Sequence, residues 1–430
     1  MLLRFKFSNT LSFQAEQELS LVAAPLADGA KGILRPAAVK AGVLPVVGIY
    51  GANASGKTNV IKALSFMDSA VEDSYRRWKP DGAIPRRAFR LSAQAASAPS
   101  SFVIDFLIDG IRHQYGFVVD SNAVLDEWLY VYPNNKRQAW FVRRHGKSIA
   151  FGAKLPGANR TIEELTRPNS LFLSTAAQNN HEALKRVYKW FSDQLNYVDA
   201  DRFRLLERTA ELCLDEGFRG IVSRILKQAD LGIAGINVRK EALPDRFLPA
   251  IKAFLSELKR PSETEELPDL SEVTRPAVEF LHHGERGLVP FPLSQESRGT
   301  SVFWSLLGPI VEALNAGAVI AVDELDAHLH PLLALRLIEL FQSPQYNGSG
   351  AQLIFTTHNT NLLKALRRDQ IWFTEKDDAG RSTLYPLTDF KPRQDENLQN
   401  GYLQGRYGAI PFVDSEGLWK TFETTHAEKQ

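Results

Sequence analysis

The chain has a single cysteine, Cys213, among 430 residues. One thiol closes no disulfide within the chain and builds no cysteine metal site, which fits a reducing compartment. Charge of one sign is lacking too: 51 Lys and Arg face 50 Asp and Glu, for a formal net charge of +1. Global basicity therefore gives no argument for nucleic-acid binding. Long hydrophobic runs are missing. The longest candidate, Ser301 to Leu314, contains Trp304, Pro309 and Glu312 and falls short of the ~20 residues that cross a bilayer. Met1 to Phe7 sets Arg4 and Lys6 between apolar residues, the alternation of a half-buried strand and not the continuous apolar core of a signal peptide. A cytoplasmic protein with no membrane partner is expected. There is no internal repeat, no low-complexity tract and no sustained heptad. With 44% hydrophobic and 23% charged residues, the composition is that of a folded chain long enough for two or three units.

What is present is an alternation of apolar strands with helices. Residues 46–50, Val-Val-Gly-Ile-Tyr, run into Gly51 and a glycine-rich turn. The periodicity of Lys57 to Val71 follows, with Val60, Ile61, Leu64, Met67 and Val71 on one helical face. A second unit joins apolar Ala318 to Val322 with Asp323-Glu324 and the leucine-rich helix Leu332 to Phe341. A third joins Leu353 to Thr356, His358 and a helix over Thr360 to Leu366. Such alternation predicts an α/β fold whose parallel sheet is covered on both faces. Residues 102–151 read instead as an antiparallel meander, with Asp109-Gly110 as its first hairpin turn. From about Thr161 to Pro261 the pattern is mainly helical. Pro261 to Glu272 reads as an exposed linker, and Pro276 to Leu281 as a strand that returns to the sheet. The expected organisation is a first part over 1–160, a helical insertion over 161–275 and a second part over 276–430.

Gly51-Ala-Asn53-Ala54-Ser55-Gly56-Lys57-Thr58 matches G-x-x-x-x-G-K-[ST]. Its glycines let the backbone curl so that successive N–H groups face phosphate oxygens; Lys57 neutralises their charge and the Thr58 hydroxyl suits Mg2+. The helix that follows turns the positive end of its dipole toward the anion. Asp323 and Glu324 stand at the C-terminal end of an apolar strand, where open parallel sheets bind ligands. There an Asp supports Mg2+ and an adjacent Glu polarises the attacking water; the plainer alternative is that the pair starts a helix. His358, just past another apolar strand, is placed to donate to a γ-phosphate or to the water, with a capping or core histidine as the alternative. His328 and His330 read as turn residues ahead of a helix and not as metal ligands.

These pieces, in this order, resemble the ABC-type ATPases of the SMC and RecF group. The closest resemblance is to the short ATPases of bacterial anti-phage systems: RloA-like proteins, the ATPase half of PARIS, the Septu ATPase and the ATPase part of OLD nucleases. Leu2 to Phe13 resembles the first strand and Asn-containing turn of SMC heads. Leu293 to Thr300, with Ser297 and Gly299, resembles the ABC signature, although it reads Ser-Arg-Gly-Thr where transporters carry Ser-Gly-Gly-Gln. Asp326 stands in the D-loop position and His358 in that of the switch histidine. Tyr402 to Phe412 resembles the GRYGAIP tail of RloA-like chains. No glutamine is placed as a Q-loop; Gln94 lies in a Ser/Ala-rich stretch.

The resemblance implies a P-loop NTPase of ABC/SMC-head type with an antiparallel β lobe and an inserted helical lobe. It implies ATP and Mg2+ as cofactors. Gly51, Asn53, Ala54, Ser55, Gly56, Lys57, Thr58 and Asn59 would bind the nucleotide, with Asp326 in the D-loop position, and Ser297 and Gly299 would complete the site from the other head. Thr58 and Asp323 would hold the metal, with Glu324 and His358 catalytic. Partners would be a second copy in a head-to-head dimer or larger homo-oligomer, a separate effector or nuclease, and DNA or a phage protein as trigger. The stretch after His358 is too short for the nuclease domain that follows the ATPase in OLD proteins, hence the expectation of a separate effector. The alternative is a RecF/SMC-like repair ATPase that binds DNA directly. Two basic clusters speak for it: Arg76, Arg77, Lys79, Arg86, Arg87 and Arg90, then Lys136, Arg137, Arg143, Arg144 and Lys147. A solvated face or a site for an acidic partner explains the same clusters.

Overall fold

The computed structural model describes residues 1–26, 28–29, 32–198, 203–242, 249 and 274–411. The expected linker Pro261 to Glu272 and the end of the expected helical stretch before it lie outside the described residues.

Three sheets form. The first is the expected meander extended by the N-terminus, in the order β2-β1-β4-β5-β6-β7-β8 and antiparallel throughout. Its strands are β1 (Leu2–Ser8), β2 (Gln17–Ser20), β4 (Ser100–Ile108), β5 (Ile111–Val119), β6 (Val124–Tyr132), β7 (Gln138–Arg144) and β8 (Ala150–Phe151). The second has the order β16-β15-β3-β14-β13-β9. Its strands are β3 (Val46–Gly51), β9 (Leu195–Val198), β13 (Val319–Val322), β14 (Gln352–Thr356), β15 (Ile371–Lys376) and β16 (Ser382–Pro386). Every pairing in it is parallel except β15 with β16. β3, β13 and β14 are buried at every residue, as strands covered on both faces must be.

The helix Lys57–Asp73 begins directly after β3. Val60, Leu64 and Met67 belong to one core with Phe5, Phe7 and Phe102 of the first sheet and Val47, Ile49 and Ile354 of the second. Each such fully buried side chain contributes ~1.5–3 kcal/mol. The helices Phe172–Gln178 and Glu182–Gln194 join this core, with Trp190 stacked on Phe106 at 4.2 Å between ring centroids. A second core gathers the alternate side chains of the parallel strands (Val46, Ile320, Leu353) with the helices Arg298–Ala316 and Pro331–Gln342.

The structure departs from the sequence pattern in three places. Pro276 to Leu281 does not return to the parallel sheet. It lies in β11 (Thr274–Gly284), which pairs with β10 (Ile233–Ala242) and β12 (Gly287–Pro292) in a third, antiparallel sheet. β10 falls inside the stretch read as helical and supplies the partner. Second, that stretch also gives β9, the edge strand beside β13. Its helices Phe203–Leu212 and Glu216–Gln228 are separate because Asp215 caps the second, accepting from Phe218 N at 2.8 Å. Third, Thr360–Ala365 is a 3-10 helix and not an α-helix. Asn359 caps it and Leu366 is already extended.

Candidate functional site

β14 lies between β3 and β13 in the sheet. The C-terminal ends of these three strands therefore bring the glycine-rich loop, Thr356–His358 and Asp323–Glu324 together. Gly51 (φ +153°) and Gly56 (φ +116°) have backbones that L side chains rarely adopt. Lys57 is buried and donates to the carbonyls of Gly51 and Ala52, both at 2.9 Å, which puts its charge inside the curl of the loop. Burial pulls its pKa down to about 8, opposed by the carboxylates of Asp323, Glu324 and Asp326. Asn53 and Ala54 are exposed at the loop's tip, and Ser55 is buried beneath it.

Thr58 donates to Asp323, 3.0 Å from Oδ1 and 2.9 Å from Oδ2. Two oxygens in neighbouring positions of an octahedron with 2.0–2.1 Å bonds stand about 2.9 Å apart, so this hydroxyl and carboxylate fit Mg2+. No three His, Cys, Asp or Glu side chains converge on a metal cage among the described residues.

Two threonines that the sequence reading passed over organise the acidic residues. Thr356 Oγ1 donates to Asp323 Oδ1 at 2.6 Å and accepts from the Glu324 N–H at 2.8 Å. Leu325 N donates to the Thr356 carbonyl at 3.0 Å. These bonds hold Glu324 at φ +51°, a left-handed conformation that costs a non-glycine residue ~1–3 kcal/mol. Thr357 Oγ1 donates to Asp326 Oδ1 at 2.5 Å. Hydroxyl residues at and just past the end of an apolar strand, before a histidine, were the available signal. His358 itself is exposed; partial burial and then the Lys57 charge lower its pKa, which favours the neutral ring.

Ser297 caps the 19-residue helix Arg298–Ala316, accepting from Thr300 N at 3.1 Å. A Cβ on Gly299 would stand 3.2 Å from the His328 carbonyl, so residues 297–299 pack against the turn that follows Asp326. No hydrogen bond joins 297–300 to the 51–58 loop among the described residues. His330 caps the helix Pro331–Gln342 and His328 sits in the turn before it at φ +63°. Gln94 lies on the short helix Ala93–Ser97.

A cavity of about 790 Å³ opens beside the loop, lined by Leu11, Ser12, Asn59, Arg87, Arg90 and Lys376. The basic clusters are less available than the sequence suggests. Arg143 is buried and donates to the carbonyls of Ser170, Arg167 and Pro168, beside Glu127. Arg86 donates to the carbonyls of Ala98 and Ala96 and to two serine hydroxyls. The tail packs on the same sheet: Tyr402 and Tyr407 stack on Phe373 of β15 at 5.3 and 6.0 Å, and Tyr402 meets Tyr50, the residue before Gly51, edge-on at 6.2 Å.

Residues 46–364 match the family described as "AAA domain, putative AbiEii toxin, Type IV TA system". Among solved structures, the chain is similar to an SMC head domain from Thermotoga maritima at 12% identity and a TM-score of 0.41, over 90% of this chain and 98% of that one. It is also similar to an SMC head bound to the C-winged helix domain of ScpA, at 14% identity and a TM-score of 0.41, over 89% of this chain and 96% of that one. Comparison with curated proteins gives no match.

Proposed function

We propose, from the premise that the chain belongs to the AAA-domain family of the AbiEii toxin and type IV TA systems, that it binds ATP with Mg2+ at the 51–58 loop and hydrolyses it between two copies of itself. The observation that carries this reading is the convergence of Thr58 and Asp323, 265 residues apart in sequence, at 2.9 Å beside Lys57. Backbone N–H groups of the loop and the Lys57 ammonium bind the phosphate chain. The nucleoside end takes the adjoining cavity at Ser12 and Asn59. Mg2+, when bound, neutralises charge on the transferring phosphate. Glu324, set by the Thr356 hydroxyl, polarises the attacking water, and His358 hydrogen-bonds the γ-phosphate.

Ser297 and Gly299 stand beside the turn of their own Asp326 and make no hydrogen bond to their own phosphate loop, which supports a role toward the nucleotide of a second copy. ATP is then a ligand with differential affinity for the closed pair, and loss of the γ-phosphate favours opening. The helix Phe203–Leu212 packs on the signature helix: Arg208 pairs with Glu312 at 2.7 Å, and a Cβ on Gly308 would lie 2.3 Å from Thr209 Oγ1. A trigger or effector seated on the 161–275 span therefore pushes on the helix that Ser297 caps.

The reaction serves a sensor or scaffold of an anti-phage system that restrains a separate effector, as the RloA-like tail suggests. Direct DNA repair is the weaker reading, because Arg143 and Arg86 already spend their guanidinium groups on protein carbonyls. Phosphate release from ATP by the full chain, abolished in Lys57→Ala, tests the ATPase. Co-purification with the product of the neighbouring gene tests the effector; failure to associate under every nucleotide condition counts against it.

A further inference from the structure

The hydroxyls of Ser12 and Ser382 form a chain that runs from the phosphate loop to the helix after it. Ser382 Oγ lies 2.7 Å from the Ser55 carbonyl and 2.7 Å from Ser12 Oγ. A hydroxyl has one hydrogen and a carbonyl only accepts. The single Ser382 hydrogen is therefore donated to the Ser55 carbonyl, with Ser12 Oγ as its second acceptor. Ser12 in turn accepts from Asn59 Nδ2 at 2.8 Å. Beside this chain, the Ser382 N–H donates to the Ser12 carbonyl at 2.8 Å, and Ser55 Oγ meets Thr374 Oγ1 at 2.6 Å. Ser382, Ser55 and Thr374 are all buried.

We infer that Ser12 and Ser382 are positioning residues for the phosphate loop. This inference deepens the ATPase reading and rests on it. The carbonyl of residue 55 and the N–H of residue 56 share one trans peptide and point in opposite directions. By fixing the Ser55 carbonyl from outside the loop, Ser382 turns the Gly56 N–H inward, where the phosphates bind. Gly56 makes room for this: a Cβ there would stand 2.6 Å from Ser382 Oγ. Ser12 completes the brace by holding Asn59, in the first turn of the following helix. The two serines come from the N-terminal turn and the β15–β16 hairpin, both outside the 46–364 family match. The flanks of the chain thus set the shape of the loop.

The test uses Ser12→Ala and Ser382→Ala in the full chain, with Ser12→Thr as the rescue. Loss of one buried hydrogen bond is expected to raise the KM for ATP·Mg2+ by roughly 5-fold in each alanine variant, with kcat at saturation little changed. Ser12→Thr keeps the hydroxyl and restores KM. Amide hydrogen exchange over residues 53–59, measured without nucleotide, is expected to rise in both alanine variants. A purely structural role lowers the melting temperature without moving KM. Wild-type protein that neither binds nor hydrolyses ATP overturns the ATPase reading, and exchange still decides the positioning claim. Unchanged exchange over 53–59 in both alanine variants, or unchanged KM in both beside an active wild type, overturns it.

Discussion

Thr357 donates its hydroxyl hydrogen to Asp326 across 2.5 Å and accepts the Asn359 N–H at 2.9 Å. One side chain thus ties the turn after β13 to the residues on either side of His358. In the proposed dimer the D-loop position of Asp326 would lie toward the second copy and His358 would face the γ-phosphate, so this bond would link nucleotide state to assembly. Thr357→Val keeps the shape and removes the link. ATP binding by a single chain is expected to stay within about 2-fold, while the closed assembly weakens by roughly 5-fold, the scale of one hydrogen bond. Sedimentation at several protein concentrations measures the second quantity. An assembly as tight as wild type removes Thr357 from this role.

Thr356 acts on the chemistry instead. Its hydroxyl fixes both the Asp323 carboxylate and the Glu324 backbone. Groups that orient a metal ligand from behind typically change activity or metal affinity by ~10–100-fold when removed. Thr356→Val is expected to lower kcat within that range and to raise the Mg2+ concentration that activity requires. A Mg2+ titration of phosphate release checks both. Wild-type values would place the orientation of Glu324 elsewhere.

The clustering of these groups was partly legible in the sequence. A glycine-rich loop, an acidic pair and a histidine each stand directly after an apolar strand, and parallel strands covered on both faces carry their ligands at that end. Strand order was not legible: nothing local says that β14 lies between β3 and β13 or that Leu195–Val198 forms an edge. β10 was hidden because it lies in a stretch whose pattern is mainly helical, although Asp230 and Gly232 mark a break just before it, and its pairing with β11 spans more than thirty residues of chain. Thr356, Thr357, Ser12 and Ser382 were missed for a different reason. A hydroxyl reveals its role only through its partner, and each of these partners is distant in sequence.

Arg143 separates a structural cation from a nucleic-acid contact. Its side chain is 10% exposed, and its partner Glu127 is fully buried. Glu127 also accepts from the N–H groups of Phe172 and Leu173 at 2.7 and 3.0 Å. Arg143→Ala leaves that carboxylate without its cation and is expected to cost ~3–5 kcal/mol of stability. Exposed Arg144→Ala is expected to stay within about 0.5 kcal/mol. Urea unfolding of the two variants checks the contrast. Equal stability, together with a salt-dependent loss of duplex DNA binding in Arg143→Ala, would return the residue to a DNA-binding face.

The most direct test of nucleotide-driven pairing is the mass of Glu324→Gln in solution with and without ATP and Mg2+, alongside its turnover. Removing the group that polarises water is expected to slow hydrolysis by ~10²–10⁴-fold while leaving nucleotide binding in place. ATP should then shift the protein to a dimer or a larger even-numbered assembly that ADP does not support. Turnover at the wild-type rate, or a mass indifferent to ATP in a variant that binds it, would contradict hydrolysis between paired heads.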